Sequence, residues 1–211
     1  MALDSAWRFN VANAELPEAA EGGDSMGMAI SAGWTVEQLA TLPDDGKRYE
    51  IIDGELYVTP SPTYRHQDAV AELLGRLRAY LKIQRAGSAL CAPADVEFSQ
   101  RTVVEPDILV LPLVEGQRPR DFAQADRLLL AVEVLSPGTA ARDRGVKREL
   151  YQRQNVPEYW IVDLDAQLIE RWRPVDQRPE IARDRIEWLP EGAGEPFVLD
   201  VPGFFAETGL E

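Results

Sequence analysis

Two β-prone stretches hold the residues most able to do chemistry. "EPDILVLP" at 105–112 and "LLLAVEVLSPG" at 128–138 are almost wholly aliphatic, yet each keeps one carboxylate, Asp107 or Glu133, inside the run. A carboxylate in an apolar strand is costly unless it is paired, hydrogen-bonded or bound to a metal. Alternation along 131–135 puts Ala131, Glu133 and Leu135 on one side of a sheet and Val132 and Val134 on the other, so both sides ask for burial. Asp107 follows Pro106, which has no N–H to give a ladder and favours the start of a strand, and this leaves Asp107 at the sheet's rim. Two carboxylates from neighbouring strands can converge there. They either form a metal site or are absorbed structurally, with Asp107 capping a turn and Glu133 paired with an arginine.

A third element bears on that choice. In "DRGVKRELYQRQ" the residues Asp143, Lys147 and Tyr151 recur every four positions and share a helix face that can look back on the rim. Taken alone, such a face is equally an ion pair on a solvated helix, worth a few tenths of a kcal/mol. His66, the sole histidine, starts another helix and there either meets a phosphate or is solvated. Ser136 lacks the Gly-x-Ser-x-Gly elbow, and with a single histidine a serine-hydrolase triad is set aside.

These residues need a frame of strands and helices. Residues 1–33 carry an excess of acidic side chains, several Gly and Ala and no sustained period, and read as a flexible acidic tail. Order is expected from Thr35, which with Gln38 has the spacing of a capping box. "RYEIIDGELYVTP" reads as a hairpin turning at Asp53–Gly54. From Arg65 to Arg85 the residues Val70, Leu73, Leu74, Leu77, Tyr80 and Leu81 recur at helical spacing, and the opposite face holds five cations against two anions. Strands are expected near 90–98, 106–112 and 128–135, a helix near 141–154, and further strands at "EYWIVD" and "LIERWRP". The fold class is therefore α/β or α+β with a mixed sheet in one domain over 34–211, closed by a last strand and a turn packed by Phe204 and Phe205.

Composition narrows the partners. No apolar run approaches the span of a bilayer and the first residues form no export signal, so no membrane partner is expected. The single cysteine, Cys91, fits a reducing cytoplasm. A net charge of −14 argues against general attraction to nucleic acid, but the segment 142–153 has five cations against two anions and offers a second local basic face.

"RYEIIDGELYVTP", "PDILVL", "AVEVLSPGT", the spaced Asp143, Lys147 and Tyr151, "NVPEYWIVD" and "DVPGFF" follow one another in an order that resembles the Uma-two family of putative restriction endonucleases, a branch of the PD-(D/E)xK nuclease superfamily. The resemblance spans roughly 34–205. It implies a restriction-endonuclease-like central mixed sheet flanked by helices. It also implies Asp107 and Glu133 as ligands of Mg²⁺ or Mn²⁺, with the carbonyl of Val134 as a further ligand, and a further acidic group at Glu50. Hard divalent ions prefer such oxygen donors, and a bound ion activates water for attack on a phosphodiester. The superfamily's lysine, two residues after the glutamate, is here Leu135, and the resemblance assigns its place to Lys147, with Asp143 as the partner that holds it. His66, Arg142 and Arg144 are then the expected DNA contacts, and two-fold cleavage of a duplex favours a homodimer. The competing function is a catalytically silent nuclease-like binding or assembly module, which the missing in-line lysine and the acidic total support.

Overall fold

The structure, a computed structural model, describes residues 8–10 (backbone), 33–121, 124 and 126–208. Its local signals are those the sequence carries. Thr35 and Gln38 close a reciprocal capping box on the short helix α1 (Val36–Leu39). Strands β2 (Arg48–Ile52) and β3 (Glu55–Thr59) pair in register across Asp53 and Gly54, both at positive φ (53° and 85°), as a tight two-residue hairpin turn requires. Helix α2 (Tyr64–Gln84) is capped by the Thr63 side chain and ends at Arg85 in the left-handed conformation.

The central sheet has six strands in the order β11 (Glu180–Ala182), β10 (Leu168–Trp172), β9 (Tyr159–Asp163), β8 (Leu130–Val134), β7 (Ile108–Leu111), β4 (Ser88–Cys91). Among these neighbours only β8 and β9 run parallel, which makes the sheet mixed as expected. A parallel pair needs a crossover, and the chain supplies it with α3 (Ala140–Arg142), a π-helical turn (Asp143–Lys147) and α4 (Arg148–Arg153). Thus the same crossover that joins the two central strands carries Asp143 and Lys147 over the sheet.

One face of the central sheet presents Ile108, Val110, Leu130, Val132 and Trp160 to Leu73, Leu77 and Leu81 of α2 and to Phe204 and Phe205. Those phenylalanines lie on the closing helix α5 (Val201–Glu207), which Asp200 caps by accepting from the Gly203 N–H. The other face, with Leu109, Leu111, Ala131, Tyr159 and Ile161, packs on Leu150, Tyr151 and a second sheet. Each fully buried Leu in these layers contributes about 1.5–3 kcal/mol. This second sheet is ordered β1 (Arg8–Asn10), β5 (Asp95–Ser99), β6 (Thr102–Val104), β2, β3, and the short pair β12 (Arg185–Trp188) and β13 (Phe197–Asp200) completes the strands.

The structure departs from the sequence expectation at several points: β6, β11 and β12 form where no strand was expected, and the closing segment is the helix α5, not a turn. The stretch near 90–98 is two strands in two sheets, because Pro93 offers no N–H where a continuous ladder would need one. Arg8–Asn10 form a strand parallel to β5 although order was expected only from Thr35; three residues are too few to show a period. The rest of the acidic segment assigned to 1–33 lies outside the described residues, apart from its last residue, Gly33. No helix among the described residues is long and apolar enough to cross a membrane.

Candidate active site

Asp107 is the residue before β7. Since Ile108 pairs with Val132 in the antiparallel β7–β8 ladder, the next step of the register sets Asp107 opposite Glu133. Both are buried. Asp107 Oδ1 accepts from Arg48 Nη1 at 2.9 Å, while Oδ2 accepts from the Val134 N–H at 2.8 Å and lies 3.1 Å from His66 Nε2. Burial works against this carboxylate, but His66, Arg48 and the Val134 N–H outweigh it and hold its pKa down to about 2. Asp107 is therefore an anion clamped in one orientation.

His66 is placed by the helix start. Its backbone N–H donates to the Thr63 cap at 3.3 Å, and its ring turns inward and is buried, not solvated. Its Nδ1 has no hydrogen-bond partner among the described residues.

Glu133 faces a different cation. Its Oε1 accepts from Lys147 Nζ at 2.7 Å and from the Tyr151 hydroxyl at 3.4 Å. The same ammonium lies 2.7 Å from Glu50 Oε1, so one fully buried lysine serves two buried carboxylates. Glu50 also has the Glu105 N–H at 2.8 Å and Arg142 Nη2 at 3.4 Å. That difference separates the two acids. Burial pushes the Glu133 carboxyl well above the ordinary range, and the nearby Asp107, Asp143 and Glu50 charges add to it against the pull of Lys147. Burial would do the same to Glu50, but Lys147, Arg142 and the Glu105 N–H keep it below its usual value. Lys147 remains firmly protonated: burial opposes its charge, and Glu133 and Glu50 overcome that opposition.

The helix face expected at Asp143, Lys147 and Tyr151 is turned inward, and all three are buried. A π-helical turn over Asp143–Lys147 widens the backbone there, a device often found where side chains are aimed for function. Asp143 Oδ1 is buried without a hydrogen-bond partner, with Arg142 Nε 4.0 Å away, and burial raises its carboxyl. Arg142 donates to Thr59 Oγ1 at 2.7 Å and lies over the Tyr57 ring.

A cavity of about 200 Å³ opens between the 60–63 and 136–139 segments, and Arg48, His66, Asp107, Glu133, Arg142 and Asp143 reach its wall. Of the residues expected from sequence, Asp107, Glu133, Val134, Asp143, His66 and Arg142 line this cavity, and Lys147 and Glu50 stand directly behind Glu133. Arg144 does not join them: it is bound to Asp163 and to Glu170, each at 2.6 Å. Among the described residues no group of three or more His, Cys, Asp or Glu is gathered closely enough to hold a metal ion by side chains alone. Oxygen donors on one wall are nonetheless the set a hard cation prefers, and the unpartnered Asp143 Oδ1 is the kind of buried oxygen that such an ion would satisfy.

Sequence reasoning missed Arg48 and its neighbour Glu105, which lies 2.9 Å from Arg48 Nε. The signal was present. Arg48 stands two residues before Glu50 on one strand, so a Glu50 facing the site implies an Arg48 on the same side.

Residues 36–202 match the Uma2 family, described as "Putative restriction endonuclease". The crystal structure of a putative nuclease belonging to DUF820 from Anabaena variabilis superposes with a TM-score of 0.67 at 22% identity, covering 83% of this chain and 99% of that one. At that identity the likeness speaks for the fold. No curated protein matches the sequence.

Proposed function

Because this chain belongs to the Uma2 family of putative restriction endonucleases, we propose that it is a Mg²⁺- or Mn²⁺-dependent endonuclease that hydrolyses DNA phosphodiester bonds at the Asp107–Glu133 cavity. The observation that carries the reading is the facing pair Asp107 and Glu133 with the Lys147 ammonium 2.7 Å from Glu133, which supplies from a helix the cation that Leu135 does not supply from the strand. Asp107, Glu133 and the Val134 carbonyl would hold the metal, which when bound lowers the pKa of a water and offsets charge growing on the phosphate.

The remaining residues prepare that site. Arg48, His66 and the Val134 N–H keep Asp107 ionised and oriented. Glu50 holds the Lys147 ammonium in place from behind, and Asp143 adds negative charge around it. Lys147, fully buried behind Glu133, does not touch the phosphate; its positive charge acts through the site's field on the negative charge that develops on the phosphoryl oxygens as water attacks and the sugar oxygen leaves. His66 and Arg142 lie where a phosphate entering the cavity would meet them, and Arg144 contacts DNA only if it exchanges its carboxylate partners. Cutting both strands symmetrically calls for a two-fold homodimer. A cytoplasmic setting fits the lone cysteine, which is free.

One observation favours the silent binding module instead: Asp107 and Glu133 already have protein cations, so their ion pairs could serve the fold alone. Calorimetric titration of Mn²⁺ into wild type and Glu133→Gln separates the two, together with cleavage of plasmid DNA in Mg²⁺ and in EDTA. Metal binding and cleavage in the wild type, both lost in the variant, is the expected result. A wild type that neither binds Mn²⁺ nor cuts under any divalent metal would transfer the assignment to the silent module.

A further inference from the structure

A second and larger cavity, of about 330 Å³, lies between α2 and the segment that follows β7. Arg78, Arg118 and Arg120 line it with Leu90, Leu111 and Asp121. All three arginines are exposed, and among the described residues their side chains make no ion pair or hydrogen bond. Many arginines elsewhere, among them Arg65, Arg76, Arg144 and Arg171, bind a carboxylate; what sets this cavity apart is that three unpaired ones share it. Asp121 answers one of the three charges at most, and its Oδ1 already accepts from the Gln124 N–H at 3.2 Å. The cavity thus concentrates positive charge in a chain whose net charge is −14, and arginine's planar fork suits phosphate oxygens.

Its distance from the active site can be read from two elements. Along β7, Leu111 lies four residues beyond Asp107, about 13 Å at the rise of a strand. Along α2, Arg78 lies twelve residues beyond His66, about 18 Å at the rise of a helix. A third cavity, bordered by Arg48, Pro60, Gln67, Pro93 and Glu105, adjoins the active site at Arg48 and Pro60 and reaches the end of β4, an edge strand of the central sheet, and β4 leads on to Ser88 and Leu90 at the arginines. At 3.4 Å of axis per nucleotide, 13–18 Å corresponds to about four to five base pairs.

We infer that the Arg78, Arg118 and Arg120 cavity grips backbone phosphates of the DNA about four to five base pairs from the bond positioned at Asp107 and Glu133. The inference rests on the reading of the chain as a DNA nuclease and adds to it a footing on one side of the cut. Such a contact fixes register and affinity without reading sequence.

The test compares full-length wild type with the triple variant Arg78→Gln, Arg118→Gln, Arg120→Gln, by fluorescence anisotropy in EDTA, where no cleavage occurs. The probes are a duplex of about 20 base pairs and a hairpin with a stem of about three, roughly 10 Å long and too short to reach from the active site to the arginines. For the long duplex, losing three phosphate contacts should lower the slope of log affinity against log salt by about 2.7, so the wild-type advantage should shrink on the order of 40-fold between about 50 and 200 mM salt. For the short duplex the two proteins should bind alike. Equal salt slopes on the long duplex would overturn the inference while leaving the nuclease reading intact. Equal losses on both duplexes would make the arginines a separate anion site and overturn the footing. A wild type that binds neither duplex, with or without Mg²⁺, would sink the nuclease reading and this inference with it. Because the three side chains are exposed, the melting temperature of the variant serves as the check that it is folded.

Discussion

Replacing Lys147 with methionine keeps most of the buried stem and deletes the ammonium that two buried carboxylates share. Glu133 loses the only cation within ion-pair distance among the described residues, whereas Glu50 keeps Arg142 at 3.4 Å. Removing one partner of a buried ion pair costs about 3–5 kcal/mol while the orphan stays charged. At about 2–4 °C per kcal/mol for a chain of this size, the melting temperature should fall by roughly 6–20 °C at pH 8. The sign with pH follows from Glu133, whose carboxyl is already raised by burial and rises further without the ammonium. A raised folded-state pKa favours the folded protein below the ordinary carboxyl value and loses that advantage as pH rises through the folded value. The deficit of Lys147→Met should therefore be greatest at pH 8 and shrink toward pH 5, and adding Glu133→Gln should recover a large part of it at pH 8. Cleavage, assayed well below both melting temperatures, should fall by about a hundredfold or more, the scale of losing one charge whose field stabilises the transition state. Equal melting temperatures at pH 8, or a deficit that grows toward pH 5, would refute the electrostatic account. Unimpaired cleavage would remove Lys147 from the chemistry.

His66→Ala should weaken Mn²⁺ binding by about 10–100-fold, because an outer partner that orients a ligand carboxylate is lost, and His66→Gln, which keeps a donor, should recover part of it; calorimetry that finds unchanged affinity would reduce His66 to a packing residue. Glu105 is raised to about 7 by burial, against the pull of Arg48, so its contribution to stability is present below its ordinary 4.5 and is lost as pH rises through about 7. Glu105→Gln should consequently flatten the fall in melting temperature across that window, and an unchanged pH profile would show that Arg48 already keeps Glu105 ionised.

Several features were determined by the sequence because they depend on neighbours along the chain. Asp53–Gly54 turns the hairpin, Thr35 and Gln38 cap α1, and the leucine spacing forms α2, since each of these signals acts within a few residues. The two carboxylates in aliphatic runs were legible for the same kind of reason: an ionisable group in a strand that wants burial on both faces needs a partner, whichever it is. Which partner each obtained was a tertiary decision. Arg48 reaches Asp107 across 59 residues and His66 reaches it across 41, and neither pairing has a local signature. The sharing of Lys147 between Glu133 and Glu50 depends on a π-helical turn that a four-residue period does not announce. Likewise the separation of Arg144 from the cavity follows from how layers stack, whereas the split of 90–98 between two sheets had a local signal in Pro93. The sequence sets which groups cannot be left alone; only the packed chain, by bringing distant segments within hydrogen-bond reach and excluding water, decides how they are satisfied and hence which of them remains a weak acid beside a buried ammonium.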